Sequence, residues 1–296
     1  MTQSIEGRFF IVGCPRSGTT LLQSLLAAHP KITSFPESKF FTRLVPTYEP
    51  KRRAIGLASA RAKGNLEDFL KEIDQPKMLR ILPVIPQFVD QYARRFINIL
   101  DRLTLDRGKT IWLEKTPEHL HWLDCIERTV PQPKIIHIVR NGTDVVASIY
   151  ELSQKYPKRW GKCAKGLDDC IDRWISDVEI SRSYANQPNH SLVRYEDLIE
   201  NPRIVLKHLC HSLEIDFDAK MLQDYGTTSK QLIRDRETWK AGVSGTIQNN
   251  TSHKFYRVFD GTQQQYIFNR LSKIDLDIFS IPKTADVASV KTSENA

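Results

Sequence analysis

Residues 9–22 read Phe-Phe-Ile-Val-Gly-Cys-Pro-Arg-Ser-Gly-Thr-Thr-Leu-Leu. The apolar residues at the start of this segment predict a buried strand, and leucines at helical spacing predict a helix over Thr20–Ala28. Between the two lies a short turn that contains glycine. Such a turn directs successive backbone N–H groups toward one point, and the dipole of the following helix adds positive potential there. We therefore expect this turn to bind a phosphate or a sulfate.

The two glycines of this turn have the spacing of a nucleotide-binding P-loop. Gly13 and Gly18 match the ends of the pattern G-x-x-x-x-G-K-[ST], but Thr19 stands where that pattern has lysine, and a cation comes earlier as Arg16. The missing lysine disfavours a kinase or an ATPase without weakening phosphate binding. The alternative is that Gly18, Thr19 and Thr20 only cap a helix.

Other apolar runs show the same pattern of a strand followed by a helix further along the chain. We predict three further strands, at Thr110–Leu113, Ile135–Val139 and Ser191–Val193, and a helix over Asp144–Gln154 after the second of them. Strands that alternate with helices imply a parallel sheet with right-handed crossovers. The predicted fold is therefore α/β, a P-loop-type three-layer arrangement in which helices flank a central parallel sheet.

Length and composition bound the organisation of the chain. Its 296 residues are 40% hydrophobic and 26% charged, which is typical of a globular protein. No linker divides them, so we predict a single domain over residues 1–296. Within it, residues 43–109 read as a helical insertion between two strands, and the tail from about residue 284 is polar enough to fray.

The formal net charge of +8 indicates an anionic partner. A basic nucleic-acid-binding protein would also explain that charge, but only Lys51-Arg52-Arg53 is clustered and no nucleic-acid module is recognisable, so we expect no nucleic acid. The chain shows neither a signal peptide nor a transmembrane run, which predicts a cytoplasmic location. Five cysteines without a CxxC pair predict neither a disulfide framework nor a metal site.

Several segments together resemble a known family. Cys14–Leu22 is followed by Ala28-His29-Pro30 and by Pro36-Glu37-Ser38-Lys39-Phe40-Phe41, and then by Glu114-Lys115-Thr116-Pro117, Arg140 with Ser148, and Arg194-Tyr195-Glu196-Asp197-Leu198. In this order they resemble sulfotransferases that use 3′-phosphoadenosine 5′-phosphosulfate (PAPS), most closely the tyrosylprotein sulfotransferase-like and bacterial branches. The resemblance implies an enzyme that moves a sulfuryl group from PAPS, leaving the product PAP.

The resemblance also implies which residues hold the cofactor. Those assigned to it are Arg16, Ser17, Gly18, Thr19, Thr20, Arg140, Ser148, Tyr195 and Lys254. Arg140 and Ser148, eight positions apart, match the element that holds the 3′-phosphate, although Arg140 could instead pair with Asp144. Tyr195 could contact the adenine or pack in the core. Trp239–Gln248 resembles, more loosely, the loop that covers the cofactor in this family. Thr238-Trp239 stands where the tyrosyl-protein members carry a catalytic serine.

Sulfuryl transfer needs a base for the acceptor and positive charge at the leaving group. We predict Glu37 as the base, as related enzymes place a glutamate similarly, and its apolar neighbours Phe40 and Phe41 could raise its pKa. Lys115, at the end of a predicted strand, is the candidate that stabilises the departing phosphate. The alternatives are a solvated loop glutamate and a surface lysine.

The acceptor is expected to be a hydroxyl or an amine on a small molecule, sugar or lipid, because the absence of a secretion signal disfavours a Golgi protein-tyrosine role. A P-loop kinase-like phosphotransferase is the other enzymatic hypothesis.

Overall fold

The computed structural model describes residues 4–81, 87–160, 166–232 and 253–280. A parallel sheet of five strands lies at its centre, in the order β2-β3-β1-β4-β5. The strands are β1 (Gly7–Val12), β2 (Ile32–Ser34), β3 (Ile111–Lys115), β4 (Pro133–Val139) and β5 (His190–Arg194). The four predicted strands are confirmed. The sequence analysis missed β2, whose three residues form the edge of the sheet beside β3.

Helices occupy most of the remaining described residues. They are α1 (Thr19–Ala27), α2 (Phe40–Leu44), α3 (Pro50–Ala54), α4 (Ala62–Glu72), α5 (Val89–Leu105), α6 (Leu123–Thr129), α7 (Gly142–Lys155), α8 (Pro157–Trp160), α9 (Leu167–Ser183), α10 (Tyr195–Glu200), α11 (Pro202–Ser212), α12 (Lys220–Gln223), α13 (Tyr225–Leu232), α14 (His253–Val258) and α15 (Gly261–Leu271). Three 3₁₀ segments join them, at Pro76–Ile81, Pro117–Trp122 and Asp277–Phe279.

Both faces of the sheet are covered, because successive side chains of a strand point to opposite sides. On β1, Phe10 and Val12 belong to a core that includes residues of α2, α4 and α5, whereas Phe9 and Ile11 belong to a core with residues of α1 and α11. A third cluster joins α7, α9 and α15. The predicted three-layer α/β fold with a central parallel sheet is thus confirmed.

The strand order identifies the edge of the sheet where a ligand fits best. β1 lies between β3 and β4. From β1 the chain first builds β2 and β3 on one side of it, and then builds β4 and β5 on the other side. In open parallel sheets, ligands bind outside the carboxyl ends of the strands where the order reverses in this way. The turn after β1 and the turn after β4 face that crevice.

Helices α2 to α5 lie between β2 and β3 in the chain, the interval assigned to a helical insertion at residues 43–109. The polar tail from residue 284 lies outside the described residues. None of the helices in the described part of the chain combines the length and the apolar character that a membrane crossing requires.

Candidate active site

The turn after β1 is shaped by two glycines with positive φ angles. Gly13 has φ +146° and Gly18 has φ +94°. A Cβ at Gly13 would overlap the carbonyl oxygen of Ile138, and one at Gly18 would overlap the ring of Tyr195. Between them Arg16 adopts φ 76°, a left-handed conformation that is uncommon for a residue with a side chain. Strained backbone of this kind is typical of ligand-binding turns.

The turn leads directly into α1 without a side-chain cap. Gly18 is the N-cap residue, and within the described residues no side-chain cap hydrogen bond is made at this end of the helix. The first N–H groups of a helix have no partner inside it, so these amides are available to an anion. The alternative that Gly18, Thr19 and Thr20 serve only as a helix cap therefore lacks the hydrogen bonds that it would require.

Two polar atoms beside this turn test whether an anionic cofactor fits. The Ser17 hydroxyl is fully buried, and within the described residues Oγ has no hydrogen-bond partner; the same is true of Nε of Arg140. Leaving a buried donor unsatisfied costs about 1–3 kcal/mol, so such atoms usually mark a place where a ligand or a water completes the bonds. Phosphate and sulfate oxygens accept from donors of both kinds, so these residues fit a cofactor that carries several such groups.

A hydrogen bond joins the turn after β1 to the helix after β4. Nε of Arg16 donates to Oγ of Ser148 over 3.0 Å. Burial, with a further contribution from the positive charge of Arg140, lowers the pKa of Arg16 to about 10. The guanidinium still carries its charge near neutral pH. Two cations at the same crevice edge form a site for a group with several negative charges.

Arg140 follows β4 and is held in place by two side chains. Its Nη2 donates to Oδ2 of Asp144 over 3.0 Å, and its guanidinium lies 4.4 Å from the centre of the Tyr195 ring. The ion pair that the sequence analysis left as an alternative is therefore present. It uses one edge of the guanidinium and leaves Nε without a partner among the described residues, so pairing with Asp144 and binding of an anion are compatible.

Tyr195 begins α10 and lies against the phosphate-binding turn. Its ring lies close to Gly18, and the Arg140 guanidinium lies over the same ring. The ring thus fills the space that a side chain at position 18 would need. Neither of the two interpretations from the sequence anticipated this contact with the turn itself.

Lys254, on α14, points toward α7. Its Nζ donates to Oε2 of Glu151 over 2.7 Å, and Arg257 donates to Oε1 of the same carboxylate over 3.0 Å. Glu151 lies about one helical turn beyond Ser148, on the same helix, and the negative charge of Glu151 favours the charged form of Arg16. Glu151 was not predicted as a site residue, although it lies three positions after Ser148 and therefore on the same face of α7.

The predicted catalytic pair meets at the carboxyl end of β3. Nζ of Lys115 donates to Oε1 of Glu37 over 2.5 Å. Lys115 is 2% exposed and is therefore not a surface lysine, whereas the Glu37 side chain is 14% exposed. The charge of Glu37 also favours the charged form of Arg16. The structure thus brings Lys115 and Glu37 into contact, and their catalytic role stays a prediction.

The loop Trp239–Gln248 and Thr238, which the sequence resemblance singled out, lie outside the described residues. Across the ranges that the structure describes, no group of three or more His, Cys, Asp or Glu side chains could hold a metal ion. Cys163 is also outside them, and Cys14, Cys125, Cys170 and Cys210 are buried free thiols.

Comparison with known sequences gives a family match over most of the chain. A sequence model of the Sulfotransferase family matches residues 8–219. A putative protein-tyrosine sulfotransferase of Caenorhabditis briggsae is 21% identical over 262 residues, which are 88% of this chain and 84% of that protein. The omega-hydroxy-beta-dihydromenaquinone-9 sulfotransferase Stf3 of Mycobacterium bovis is 26% identical over 269 residues, covering 75% and 69%. The chain spans only 27% of an uncharacterized Aquifex aeolicus protein, with 25% identity over 226 residues.

Solved structures share the fold. The sulfotransferase domain of the Synechococcus PCC 7002 olefin synthase gives a TM-score of 0.59 at 22% identity and covers 93% of this chain and 97% of that domain. Mouse sulfotransferase SULT7A1 complexed with PAP gives 0.53 at 14% identity, covering 92% and 84%. These likenesses agree with the α/β architecture described above.

Proposed function

The chain belongs to the sulfotransferase family, and on that basis we propose that it moves a sulfuryl group from PAPS to a hydroxyl or an amine of a small-molecule, sugar or lipid acceptor. The predicted resemblance and the prediction of a sulfotransferase enzyme are confirmed by the family match. The hydrogen bond from Arg16 to Ser148 is the single observation that carries the proposal at this site, because it joins the turn expected to hold the sulfated end to the helix expected to hold the 3′-phosphate.

PAPS supplies a sulfuryl group bonded to a phosphate through a bridging oxygen. Around it we propose two groups of binding residues. Ser17, Gly18, Thr19 and Thr20 offer main-chain amides and hydroxyls at the start of α1, and Arg16 adds charge. To the 3′-phosphate we assign Arg140, Ser148 and Lys254, and Tyr195 contacts both the turn and Arg140.

Glu37 and Lys115 carry the proposed chemistry. The acceptor loses a proton when it attacks, and we assign that proton to the Glu37 carboxylate. Lys115 supplies positive charge where the departing phosphate oxygen gains negative charge. Their contact of 2.5 Å supports the assignment, because it holds the carboxylate and the ammonium group side by side at the carboxyl end of β3.

The acceptor class is the less supported part of the proposal. One relative carries the name of a menaquinone sulfotransferase and another that of a putative protein-tyrosine sulfotransferase, so family members differ in their acceptors. The menaquinone enzyme supports a lipid or another small molecule. A cytoplasmic location stays a prediction from the sequence.

A labelling experiment tests the function directly. The purified protein is incubated with PAPS labelled in its sulfur and with an extract of the native host, and the labelled product is isolated and identified by mass spectrometry. We expect one class of sulfated product with the wild-type protein and none with Arg16→Ala. Transfer of phosphate from ATP in the presence of Mg²⁺, without transfer from PAPS, would instead identify the phosphotransferase.

A further inference from the structure

The four backbone amides that directly follow Glu37 are all bound by side chains of one small buried network. The Ser38 N–H donates to Oε1 of Glu114 over 3.2 Å, and the Lys39 N–H donates to Oγ1 of Thr116 over 3.1 Å. The next two amides donate to Oγ of Ser38 and to Nε2 of His119, each over 3.2 Å. Ser38 and Lys39 precede α2 and Phe40 and Phe41 begin it, so these bonds fix the segment that presents the proposed base.

Glu114 is the centre of the network. It is 1% exposed, and its Oε1 accepts not only the Ser38 amide but also the hydroxyls of Ser38 and Thr116, each over 2.7 Å. Those hydroxyls then use their own oxygens to accept the amides of Phe40 and Lys39. The direction of every donor is therefore set by the carboxylate, since an ionised carboxylate only accepts.

His119 completes the network on the far side of the carboxylate. The ring is fully buried, and its Nδ1 lies 2.9 Å from Oε2 of Glu114. Because Nε2 accepts the Phe41 amide, the proton of a neutral ring must be on Nδ1, where it faces the carboxylate. Burial raises the pKa of Glu114, but His119 and the hydroxyls of Thr116 and Ser38 outweigh it and hold that pKa below its usual value.

Strand geometry connects this network to both proposed catalytic residues. Glu114 and Lys115 are neighbours at the end of β3, so their side chains leave opposite faces of the strand. Glu114 fixes the chain just after Glu37, while Lys115 bonds the Glu37 carboxylate itself. The position of one carboxylate is thereby set from two sides by adjacent residues of a single strand.

We propose that Glu114, Thr116 and His119 are positioning residues that hold Glu37 in register with Lys115 by binding the amides of residues 38–41. This inference rests on the proposed function, in which Glu37 and Lys115 carry the chemistry. We assign the three residues no contact with substrate or cofactor. Their contribution is the fixed geometry on which proton transfer and charge stabilisation depend.

Amide hydrogen exchange tests the network without any assay of activity. In Glu114→Gln an NH₂ group, which only donates, replaces one carboxylate oxygen. If the remaining oxygen accepts from Ser38 and Thr116, the NH₂ group faces the N–H of His119, and two donors then oppose each other. We expect amides 38–41 to exchange at least tenfold faster than in the wild type, while those of Phe9–Val12 keep their rates. A loss of global stability would accelerate both sets together and would contradict the proposal.

Turnover and cofactor affinity supply the second measurement. With PAPS and the acceptor fraction of the host extract, Glu114→Gln is expected to lose at least tenfold in kcat, whereas its Kd for PAP changes by less than twofold. The matched control is Glu127→Gln, because Glu127 also lies beside a histidine, His190, at 3.0 Å, but in another part of the fold. That control is expected to keep both the turnover and the exchange rates of amides 38–41.

A second variant keeps the test decisive if Glu114→Gln does not fold. Thr116→Val preserves shape while removing the acceptor of the Lys39 amide and one donor to Glu114. Faster exchange at residue 39 together with a lower kcat supports the proposal, and wild-type turnover in a variant with released amides overturns it. If Glu37→Gln retains full turnover, the proposed catalytic function fails, whereas the exchange rates still report on the network.

Discussion

Nε of Arg16 donates to Oγ of Ser148 over 3.0 Å, although 132 positions separate the two residues in the chain. The bond crosses from the turn after β1 to α7, which follows β4, and these are the two connections that flank the reversal of strand order. It also orients a buried guanidinium before any ligand arrives, so part of the entropy cost of ordering the site is already met in the fold.

Ser148→Ala should weaken binding of PAP about tenfold, because the charged guanidinium of Arg16 loses its hydrogen bond to the Ser148 hydroxyl, and a bond of this kind is worth roughly 1.5–3 kcal/mol. Isothermal titration with PAP measures the change. Ser153→Ala is the matched control: Ser153 is a buried serine of the same helix, and its hydroxyl donates only to the Tyr150 carbonyl. Equal affinities for the two variants would contradict the role of Ser148.

Arg140→Ala should remove the preference for ligands that carry a 3′-phosphate. The wild-type protein is expected to bind PAP at least tenfold more tightly than adenosine 5′-phosphate, and the variant should bind the two within about threefold, since one forked donor is lost. Because the substitution also leaves Asp144 without its partner Arg140, thermal unfolding must be measured alongside. Arg203→Ala, which removes an arginine stacked on Phe217, should leave the preference intact.

Gly18→Ala should abolish PAP binding while the protein still folds. The added methyl group would overlap the Tyr195 ring, and φ +94° is a conformation that alanine avoids, so the turn must change shape. Gly64→Ala is the control, since nothing lies within 4 Å of a Cβ there and the residue is inside α4. That substitution should raise the free energy of unfolding by up to about 1 kcal/mol. PAP binding by Gly18→Ala would show that the turn is not the anion site.

Stability should fall as the pH is lowered from 7 to 5. Burial, with a smaller contribution from His190, lowers the pKa of His137 from 6.5 to about 3. Between these two values His137 is protonated in the unfolded chain and neutral in the folded protein, so lowering the pH favours unfolding. Between pH 7 and pH 5 the expected loss of unfolding free energy from this residue is about 2 kcal/mol, and the loss keeps growing until the pH reaches the folded pKa. Urea denaturation at both pH values measures it.

His137→Gln separates this contribution from those of other groups. Nε2 of His137 lies 2.7 Å from Nδ1 of His190, and glutamine can keep a polar atom there without titrating. The variant should show a smaller loss between pH 7 and pH 5, whereas His208→Gln, at an exposed position, should behave as the wild type does. An unchanged pH dependence in His137→Gln would contradict the assignment.

The sequence predicted the sheet more completely than the site. Apolar runs revealed β1, β3, β4 and β5, but β2 reads Ile-Thr-Ser, so Ile32 is its only large apolar residue and no run is visible. The family resemblance predicts that Arg140 and Ser148 bind one phosphate, yet it could not reveal that Ser148 accepts from Arg16, because that depends on how α7 packs.

The network around Glu114 was invisible for a related reason. Its parts come from the segment after Glu37, from β3 and from the 3₁₀ segment Pro117–Trp122, and only the packing of these elements brings them together. The sequence did place Glu114 next to Lys115, but a carboxylate beside a lysine in a strand points to the other face. Local spacing therefore gave no sign that it reaches the chain after Glu37.

Glu37→Gln and Lys115→Met should both abolish most turnover while keeping cofactor binding. Loss of a general base lowers kcat by about 10²–10⁴-fold, and loss of a cation at a leaving group has a comparable effect. Because the two side chains contact each other at 2.5 Å, each substitution also disturbs its partner, so the double variant should be little worse than either single one. The measurements are kcat with labelled PAPS and Kd for PAP.

The exposed pair Lys31 and Glu6 supplies the control. Its removal deletes an ion pair of 3.1 Å away from the crevice and should leave kcat unchanged. Losses that multiply in the double variant would mean that Glu37 and Lys115 act independently, and a protein with wild-type kcat after either substitution would exclude that residue from the chemistry.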